Sequence, residues 1–287
     1  DDPMLVAYLG PKGSFTHHVA LESFEDATLR PYGSITEVIK AYESAQVDYA
    51  VIPVENSIEG SVHETIDYLF HQARFQAIAE VVYPIKQQLL AVKQNQSIEV
   101  IYSHPQALAQ GKAYVQENFP QARLEMTTST SYAARYVSQH PELPIAAIAH
   151  LEAKDEYGLE VVASNIQEMD QNYTRFWILG QRPFKGSHSL KKVSCKNSLA
   201  ITLPSNIAGS LCRALATFAS RELNLTKIES RPLKTVLGEY FFIIDVVDAD
   251  ESLFASAYQE LESLGVSIKT LGHYSVYVLN DNETENV

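Results

Sequence analysis

Asn172-Tyr173-Thr174-Arg175-Phe176-Trp177-Ile178-Leu179-Gly180 decides how the first two-thirds of the chain is read. Phe176–Leu179 is a short apolar run holding the chain's only tryptophan, the pattern of a buried strand. It closes a long region of alternating strands and helices and precedes a polar stretch, 181–197, with Lys185, Lys191, Lys192 and Lys196. Thr174 and Arg175 stand just ahead of the apolar run. A threonine hydroxyl both donates and accepts, and a guanidinium offers a planar fork of donors that suits a carboxylate. As a plain strand entrance, the stretch would leave Thr174 at the lip of a core and Arg175 in solvent. In a regular strand the two side chains point to opposite faces. A ligand touched by both therefore requires a bend at Thr174 or an arginine that reaches around.

Towards the N-terminus the alternation is regular. Val6–Leu9 is an apolar run ending in Gly10-Pro11-Lys12-Gly13-Ser14-Phe15, with Ser14 placed to cap a helix that turns Phe15, Val19 and Phe24 inward. A second helix follows Thr36, with Val38, Ile39 and Tyr42 on one face. Tyr49–Val54 reads as a buried strand, and Ser61 as the cap of a helix striped by Val62, Thr65, Ile66 and Leu69. Ala77–Val92 is strand-like and broken by Pro84; Ile98–Tyr102 is a strand, and Pro105 marks the helix that follows it. A strand at Leu124–Met126, a helix opened by Thr127–Ser131, a strand at Ile145–Ala149, a helix at Leu151–Tyr157 ended by Gly158, and a strand at Leu159–Ile166 complete the series. Such alternation argues for a parallel or mixed α/β sheet. Beyond the polar stretch the order changes to strand (199–203), helix (208–222), strands (225–229, 240–247), helix (253–264) and strand (267–271, extended by 274–279). That βαββαβ order is a ferredoxin-like unit.

With 287 residues the chain has room for two domains, and a net charge of −13 with a pI near 5.1 excludes nucleic acid or an anionic membrane as a general partner. A small anionic substrate stays open, because a site needs only local positive charge. Cys195 and Cys212 fit no metal or redox spacing and are read as reduced and structural, which suits a cytoplasmic protein. Gly10-Pro11-Lys12-Gly13 lacks the later glycine of a dinucleotide loop and the Gly-Lys-Ser/Thr of a P-loop. His63-Glu64 lacks the second histidine of a zinc helix, and the adjacent His17 and His18 cannot both face one metal from a helix. No metal and no organic cofactor is implied. One feature recurs: Gly13-Ser14, Asn56-Ser57 with Gly60-Ser61, Ser103-His104 and Thr128–Ser131 all open helices at strand ends. Helix N-termini offer free N–H groups and a positive dipole end, and in parallel sheets such turns gather at one edge. Four together with Thr174-Arg175 point to a small polyanion.

The motifs Gly10-Pro11-x-Gly13-Ser14-Phe15, Pro53-Val54-Glu55-Asn56-Ser57-x-Glu59-Gly60, Ser103-His104-Pro105-Gln106 and Thr174-Arg175-Phe176 stand in the order and spacing of the prephenate dehydratases. Leu225-Thr226-Lys227-Ile228-Glu229-Ser230-Arg231-Pro232 resembles that family's regulatory signature on an ACT domain, and the likeness runs from about Ala7 to Leu279. The resemblance implies the free-standing form, without a fused chorismate mutase. It implies a two-subdomain catalytic domain like a periplasmic binding protein over 4–181, with subdomains at about 4–80 plus 162–181 and at 81–161. A linker at 182–197 and an ACT domain at 198–280 would follow.

The implied reaction takes prephenate to phenylpyruvate with loss of water and CO2, on the way to phenylalanine. Thr174 is then the candidate general acid for the departing ring hydroxyl, or a positioned donor or relay. Arg175 fits the pyruvyl carboxylate: held on the ring carboxylate, it would stabilise a charge that must leave as CO2. Phe176 would wall the ring carboxylate's pocket. Asn56, Ser57, Ser103, Gln106, Gln110, Ser129 and Thr130 are candidates for orienting substrate. Glu55 is admissible beside a dianion only if it is protonated or orients a donor. By resemblance, Asn206, Ala208, Gly209, Ser210 and Leu211, with Glu229 and Ser230, form a phenylalanine effector site between two ACT domains, so self-association as a dimer or tetramer is implied. Ala208 stands where many members have proline, Cys212 where a larger side chain is common, and Ser275 where proline is usual. These departures touch the effector unit and leave the catalytic motifs intact. Arogenate in place of prephenate, or a non-catalytic amino-acid sensor, are the alternative readings.

Overall fold

The computed structural model describes residues 4–72, 74–168, 172–204, 208–233 and 239–279. The chain begins with β1 (Met4–Leu9), α1 (Phe15–Ser23), β2 (Ala27–Tyr32), α2 (Ile35–Glu43), β3 (Tyr49–Asn56), β4 (Gly60–Ser61), α3 (His63–His71) and β5 (Ala77–Pro84). It then crosses to a second lobe built from β6 (Gln88–Ala91), β7 (Val100–Ser103), α4 (Pro105–Asn118), β8 (Arg123–Met126), α5 (Thr130–Gln139), β9 (Ile145–Ala149), α6 (Leu151–Tyr157) and β10 (Glu160–Ala163). β11 (Tyr173–Gly180) returns to the first lobe. The C-terminal domain follows as β12 (Leu190–Thr202), α7 (Ser210–Ala219), β13 (Asn224–Pro232), β14 (Tyr240–Val247), α8 (Glu251–Ser263) and β15 (Ser267–Leu279).

The second lobe has its own five-stranded sheet, in the order β10-β6-β9-β7-β8. The first lobe and the C-terminal domain share one sheet, β13-β14-β12-β15-β5-β11-β3-β1-β2, with β4 paired to β3. Within the C-terminal domain the order β13-β14-β12-β15 is the ferredoxin-like arrangement expected from βαββαβ. The join is a parallel pairing of β15 with β5, running from Gly272↔Ala77 to Val278↔Val82 with a register shift between Gly272 and Ser275. β11 lies antiparallel between β5 and β3, so the Thr174 strand is central to the joined sheet.

Two cores flank that sheet. Phe176 and Ile178 of β11 face α1, with Val6, Tyr8, Val19 and Tyr83. Trp177 and Leu179 face α2 and α3, with Ile39, Ile66 and Leu69. The second core continues without a break into Ala200, Phe241, Ile243, Leu271, Tyr274 and Val276 of the C-terminal domain. The domain's other sheet face carries Leu199, Ile201, Ile244 and Val246 under α7 and α8. Its helix-free face is thus buried against α3, where Phe70 and Phe241 stack with centroids 3.8 Å apart.

Several local readings hold. Ser14 and Ser129 accept the N–H of His17 and Tyr132 as helix caps, Pro105 sits at the start of α4, and Gly158 ends α6 in the left-handed region. One strand has no clear sequence signal: in Ala27–Tyr32, Arg30 and Pro31 interrupt the apolar pattern, which an edge position tolerates. Three readings are corrected. Ser61 does not cap α3; it lies in β4, and its hydroxyl bonds Glu229. Residues 190–197 are not linker but the first part of β12: the segment is lysine-rich and polar like a loop, yet its backbone pairs with the end of β15. The chain leaves the first sheet after Pro84 rather than at Glu80.

The β15–β5 seam depends on a missing side chain. A Cβ on Gly272 would lie 2.7 Å from the carbonyl oxygen of Ala77 and 2.8 Å from the Tyr274 ring. Gly272→Ala must therefore spread the seam, and the expected loss is about 1–3 kcal/mol, read as a lower urea midpoint. An unchanged midpoint would show that the seam is not tightly packed.

Candidate active site

β11 and β3 run side by side with Thr174 opposite Asn56 and Arg175 opposite Glu55. Alternation then sorts four functional side chains onto two faces. On one, Asn56 Nδ2 donates to Thr174 Oγ1 at 3.1 Å. The assignment of that amide is fixed locally, because Asn56 Oδ1 accepts the backbone N–H groups of Ile58 at 2.9 Å and Glu59 at 3.1 Å. The amide nitrogen must therefore be the atom facing Thr174, and Thr174 Oγ1 must accept. Its own proton is left to point elsewhere, which makes it a donor. Ser57 ties the same turn down: its N–H donates to Tyr173 O, its Oγ accepts from Tyr173 N–H at 2.9 Å and donates to Asn172 Oδ1 at 3.3 Å.

On the opposite face Arg175 is 4% exposed. Its Nε donates to Glu80 Oε1 at 2.9 Å, Nη1 to Glu55 Oε1 at 3.1 Å, and Nη2 to both Glu80 Oε1 and Asp245 Oδ2, the latter at 3.0 Å. Lys196 takes the second oxygen of Glu80 at 3.3 Å, and Lys227 takes the second oxygen of Glu55. Asp245 accepts from Ser198 at 2.7 Å, and Trp177 Nε1 donates to Glu80 and to the Tyr274 hydroxyl. Arg175 and Glu55, read from the sequence as substrate-site candidates, are spent on each other and on the C-terminal domain. No bend brings Thr174 and Arg175 to one side, since the irregularity in the β11–β3 register falls after Arg175. Phe176, expected as a pocket wall, is 1% exposed and packs among the α1-side core residues.

The charges are settled by these contacts. Burial pushes the Glu55 and Glu80 carboxyls up, but Lys227 and Arg175 at Glu55, and Arg175 and Lys196 at Glu80, outweigh it and hold both below the usual carboxylate value. Burial also works against the charge on Arg175, and Glu80 and Asp245 reverse that, raising it well above its ordinary value.

The lobes meet where the N-termini of α1, α5 and α6 converge. A cavity of about 330 Å³ lies there, lined by Lys12, Gly13, Ser14 and Phe15 from the first lobe and by Thr130, His150 and Glu152 from the second. A neighbouring cavity of about 790 Å³ adds His17, His18 and Asp155. Neither is lined by Thr174. Tyr83, its register partner on β5, makes the link: the Tyr83 hydroxyl donates to Glu152, and its ring packs against Phe15. A second bridge runs from Gln106 Nε2 to Glu59 Oε1 at 2.8 Å. Gly13 is required at φ +91°, where a Cβ would come within 2.7 Å of Glu156.

Of the other sequence candidates, Gln110 accepts from Gln87 at 2.8 Å, Ser103 is buried and bonds the His104 carbonyl, and Ser129 is occupied as a cap. Ala208, Gly209, Ser210 and Leu211 lie at the start of α7, and Glu229 and Ser230 near the end of β13. The register Thr202↔Phe241↔Arg231 puts both groups at the same end of the sheet. Asn206 lies outside the described residues. Sequence reading missed Lys12, Tyr83, Gln87, His150 and Glu152. Lys12 was the unspecified position of a quoted motif; the others gave no signal, because only the meeting of two lobes makes them neighbours. His150 is lowered by burial to about 4, against a backbone bond at Lys86, so its ring is neutral at pH 7, and its enclosed Nδ1 has no partner among the described residues. The buried Oε1 of Gln87 is likewise without one.

Fold and cleft together define a two-lobed α/β protein with a ferredoxin-like domain seated on its first lobe. The model of the family described as prephenate dehydratase matches residues 6–184. The chain belongs to the prephenate dehydratase family. It is 49% identical over 280 residues to a prephenate dehydratase of Lactococcus lactis subsp. lactis, covering 97% of this chain and 100% of that one. The X-ray structure of prephenate dehydratase from Streptococcus mutans is 42% identical, with a TM-score of 0.62 over 96% of this chain and 99% of that one. The prephenate dehydratase of Arthrobacter aurescens, solved in complex with L-Phe, is 30% identical, with a TM-score of 0.75 over 94% and 90%.

The charge cluster has a pH signature. Glu55 and Glu80 titrate below the ordinary 4.5, so their contribution is complete at neutral pH and is lost as pH falls through their lowered values. Wild type is expected to exceed Glu80→Gln by about 3–5 kcal/mol at pH 7, the cost of breaking a buried pair. The gap should begin to narrow below about pH 4 and go on shrinking as pH falls further, when urea unfolding of the two proteins is compared. A gap that stays constant would mean that Glu80 is not ionised in the folded protein.

Proposed function

We propose that the chain converts prephenate to phenylpyruvate, losing the ring hydroxyl as water and the ring carboxylate as CO2. The observation that carries this reading is the Asn56–Thr174 pair: an amide fixed by two backbone N–H groups makes Thr174 Oγ1 an acceptor, and so frees its proton for the leaving hydroxyl. The electron pair of the breaking C–CO2 bond becomes the last π bond of the aromatic ring as the C–O bond breaks. Thr174 supplies the proton that turns departing hydroxide into water. A threonine hydroxyl is a weak acid, so aromatisation and CO2 release provide most of the driving force. The Asn56 N–H supports the negative charge that builds on Oγ1 during transfer.

Arg175 takes no part in holding substrate in this reading. Positive potential for the two carboxylates comes instead from Lys12 and from the N-termini of α1 and α5, which open at Ser14 and Ser129. Gln106, Gln110 and Thr130, together with Gln87, supply polar groups for orientation across the lobes. Ser57 and Ser103 shape the turns beside them. The relatives described above carry prephenate in their names, which favours prephenate over arogenate. The C-terminal domain is, in this proposal, an ACT-type regulatory domain. Phenylalanine would bind between two copies at the α7 start near Gly209, with Glu229 and Ser230 close by. Binding to an Arthrobacter relative of similar fold supports this assignment.

Thr174→Ala is expected to fold with an unchanged thermal midpoint and to lose about 10²–10⁴-fold in kcat, the usual worth of a positioned proton donor. Thr174→Ser, which keeps the hydroxyl, should retain most activity. Phenylpyruvate released from prephenate measures both, and wild-type turnover in Thr174→Ala would contradict the assignment.

A further inference from the structure

The pair that carries the chemistry sits at strand ends. Thr174 is the second residue of β11, and Asn56 is the last of β3. Strand ends fray first, with opening free energies well below the global value. Yet Asn56 must stay within 3.1 Å of Thr174 to orient its hydroxyl. What resists fraying lies one residue along on each strand and on the other face. Arg175 is drawn to Asp245 of β14, and Glu55 to Lys227 of β13. Glu80 of β5 anchors both sides of the seam, holding Arg175 in its own lobe and Lys196 of β12.

The ties at β13 form a row. Lys227 reaches Glu55 and Ser61, Glu229 reaches Ser61, and Arg231 reaches Asp67 and His63. Alternate residues of a single strand of the C-terminal domain thus grip the segment that follows Asn56. Such an array suits a side that must be fixed in position more than an incidental contact, because each long side chain ordered costs entropy.

We infer that Lys227 and Asp245 are positioning residues for Thr174: by holding Glu55 and Arg175 on the face away from substrate, they fix the separation at which Asn56 orients the Thr174 hydroxyl. The inference rests on reading Thr174 as the proton donor. It makes the C-terminal domain part of the catalytic apparatus, even though no described residue of β13 or β14 lines the cavities between the lobes.

The test uses the full-length chain with Lys227→Met, Lys227→Arg and Asp245→Asn. Lys227→Met and Asp245→Asn are expected to lower kcat for prephenate by about tenfold or more while KM moves by less than about twofold, because a misplaced donor costs the chemical step and not binding. Lys227→Arg, which keeps the charge, should restore most of kcat. Amide hydrogen exchange supplies a readout that needs no turnover: in Lys227→Met, segments 54–58 and 173–176 should exchange faster, with 100–149 unchanged. Wild-type kcat in Lys227→Met, a raised KM at constant kcat, or unchanged exchange at 54–58 and 173–176 would overturn the inference. If Asp245→Asn does not fold, Lys227→Met decides. If the wild-type protein makes no phenylpyruvate, the functional reading fails, and the exchange measurement alone still judges the positioning claim.

Discussion

A single guanidinium between three carboxylates holds the two halves of this molecule in register. Arg175 lies in a setting that would be prohibitive for an unpaired charge, and it is tolerated because Glu55, Glu80 and Asp245 take its N–H groups while Lys196 and Lys227 balance the remaining oxygens. Around this cluster the packing is apolar and continuous from Trp177 through Tyr274 to Phe241 and Phe70. The apolar core is close-packed but non-directional. The ion cluster is directional. A slip of β15 along β5 would part Asp245 from Arg175 and bring a buried charge out of balance.

That constraint explains the division of labour across β11 and β3. Their pleat gives each strand two faces, and the two faces have separate duties. One face carries Asn56 and Thr174, whose hydroxyl oxygen accepts from the amide beside it. The other delivers Arg175 and Glu55 to the C-terminal domain. In the proposed reading, substrate charge is met from elsewhere, by Lys12 and by helix N-termini that converge where the lobes meet. The cluster also explains why the ferredoxin-like unit forms one sheet with the first lobe instead of hanging from a linker. Gly272 lets β15 approach β5 closely, and β12 begins as early as Leu190 to complete the pairing.

Much of this was legible in the sequence where local rules govern. Helix caps at Ser14 and Ser129, the proline start of α4, the glycine end of α6 and the βαββαβ order all follow from neighbours in the chain, and family motifs located Asn56 and Thr174. Alternation alone warned that Thr174 and Arg175 would face apart. What could not be read is the partner of Arg175. Glu80 and Asp245 are separated from it by 95 and 70 positions, and only the fold makes them neighbours. The fork of donors that suggests a substrate carboxylate serves a protein carboxylate equally well. Lys191, Lys192 and Lys196 looked like a linker for the same reason: polarity was visible, while the pairing of that segment with β15 was not.

In the proposed reading, chemistry and domain docking use opposite faces of one strand pair. The most direct measurement is a crystal structure of the Thr174→Ala protein with prephenate bound. The ring hydroxyl is expected within hydrogen-bonding reach of Asn56 and beside the vacated Thr174 position, with Lys12 and helix N-termini around the carboxylates and Arg175 still on Glu80 and Asp245. An Arg175 guanidinium withdrawn from that cluster and seated on either carboxylate of prephenate would contradict this reading.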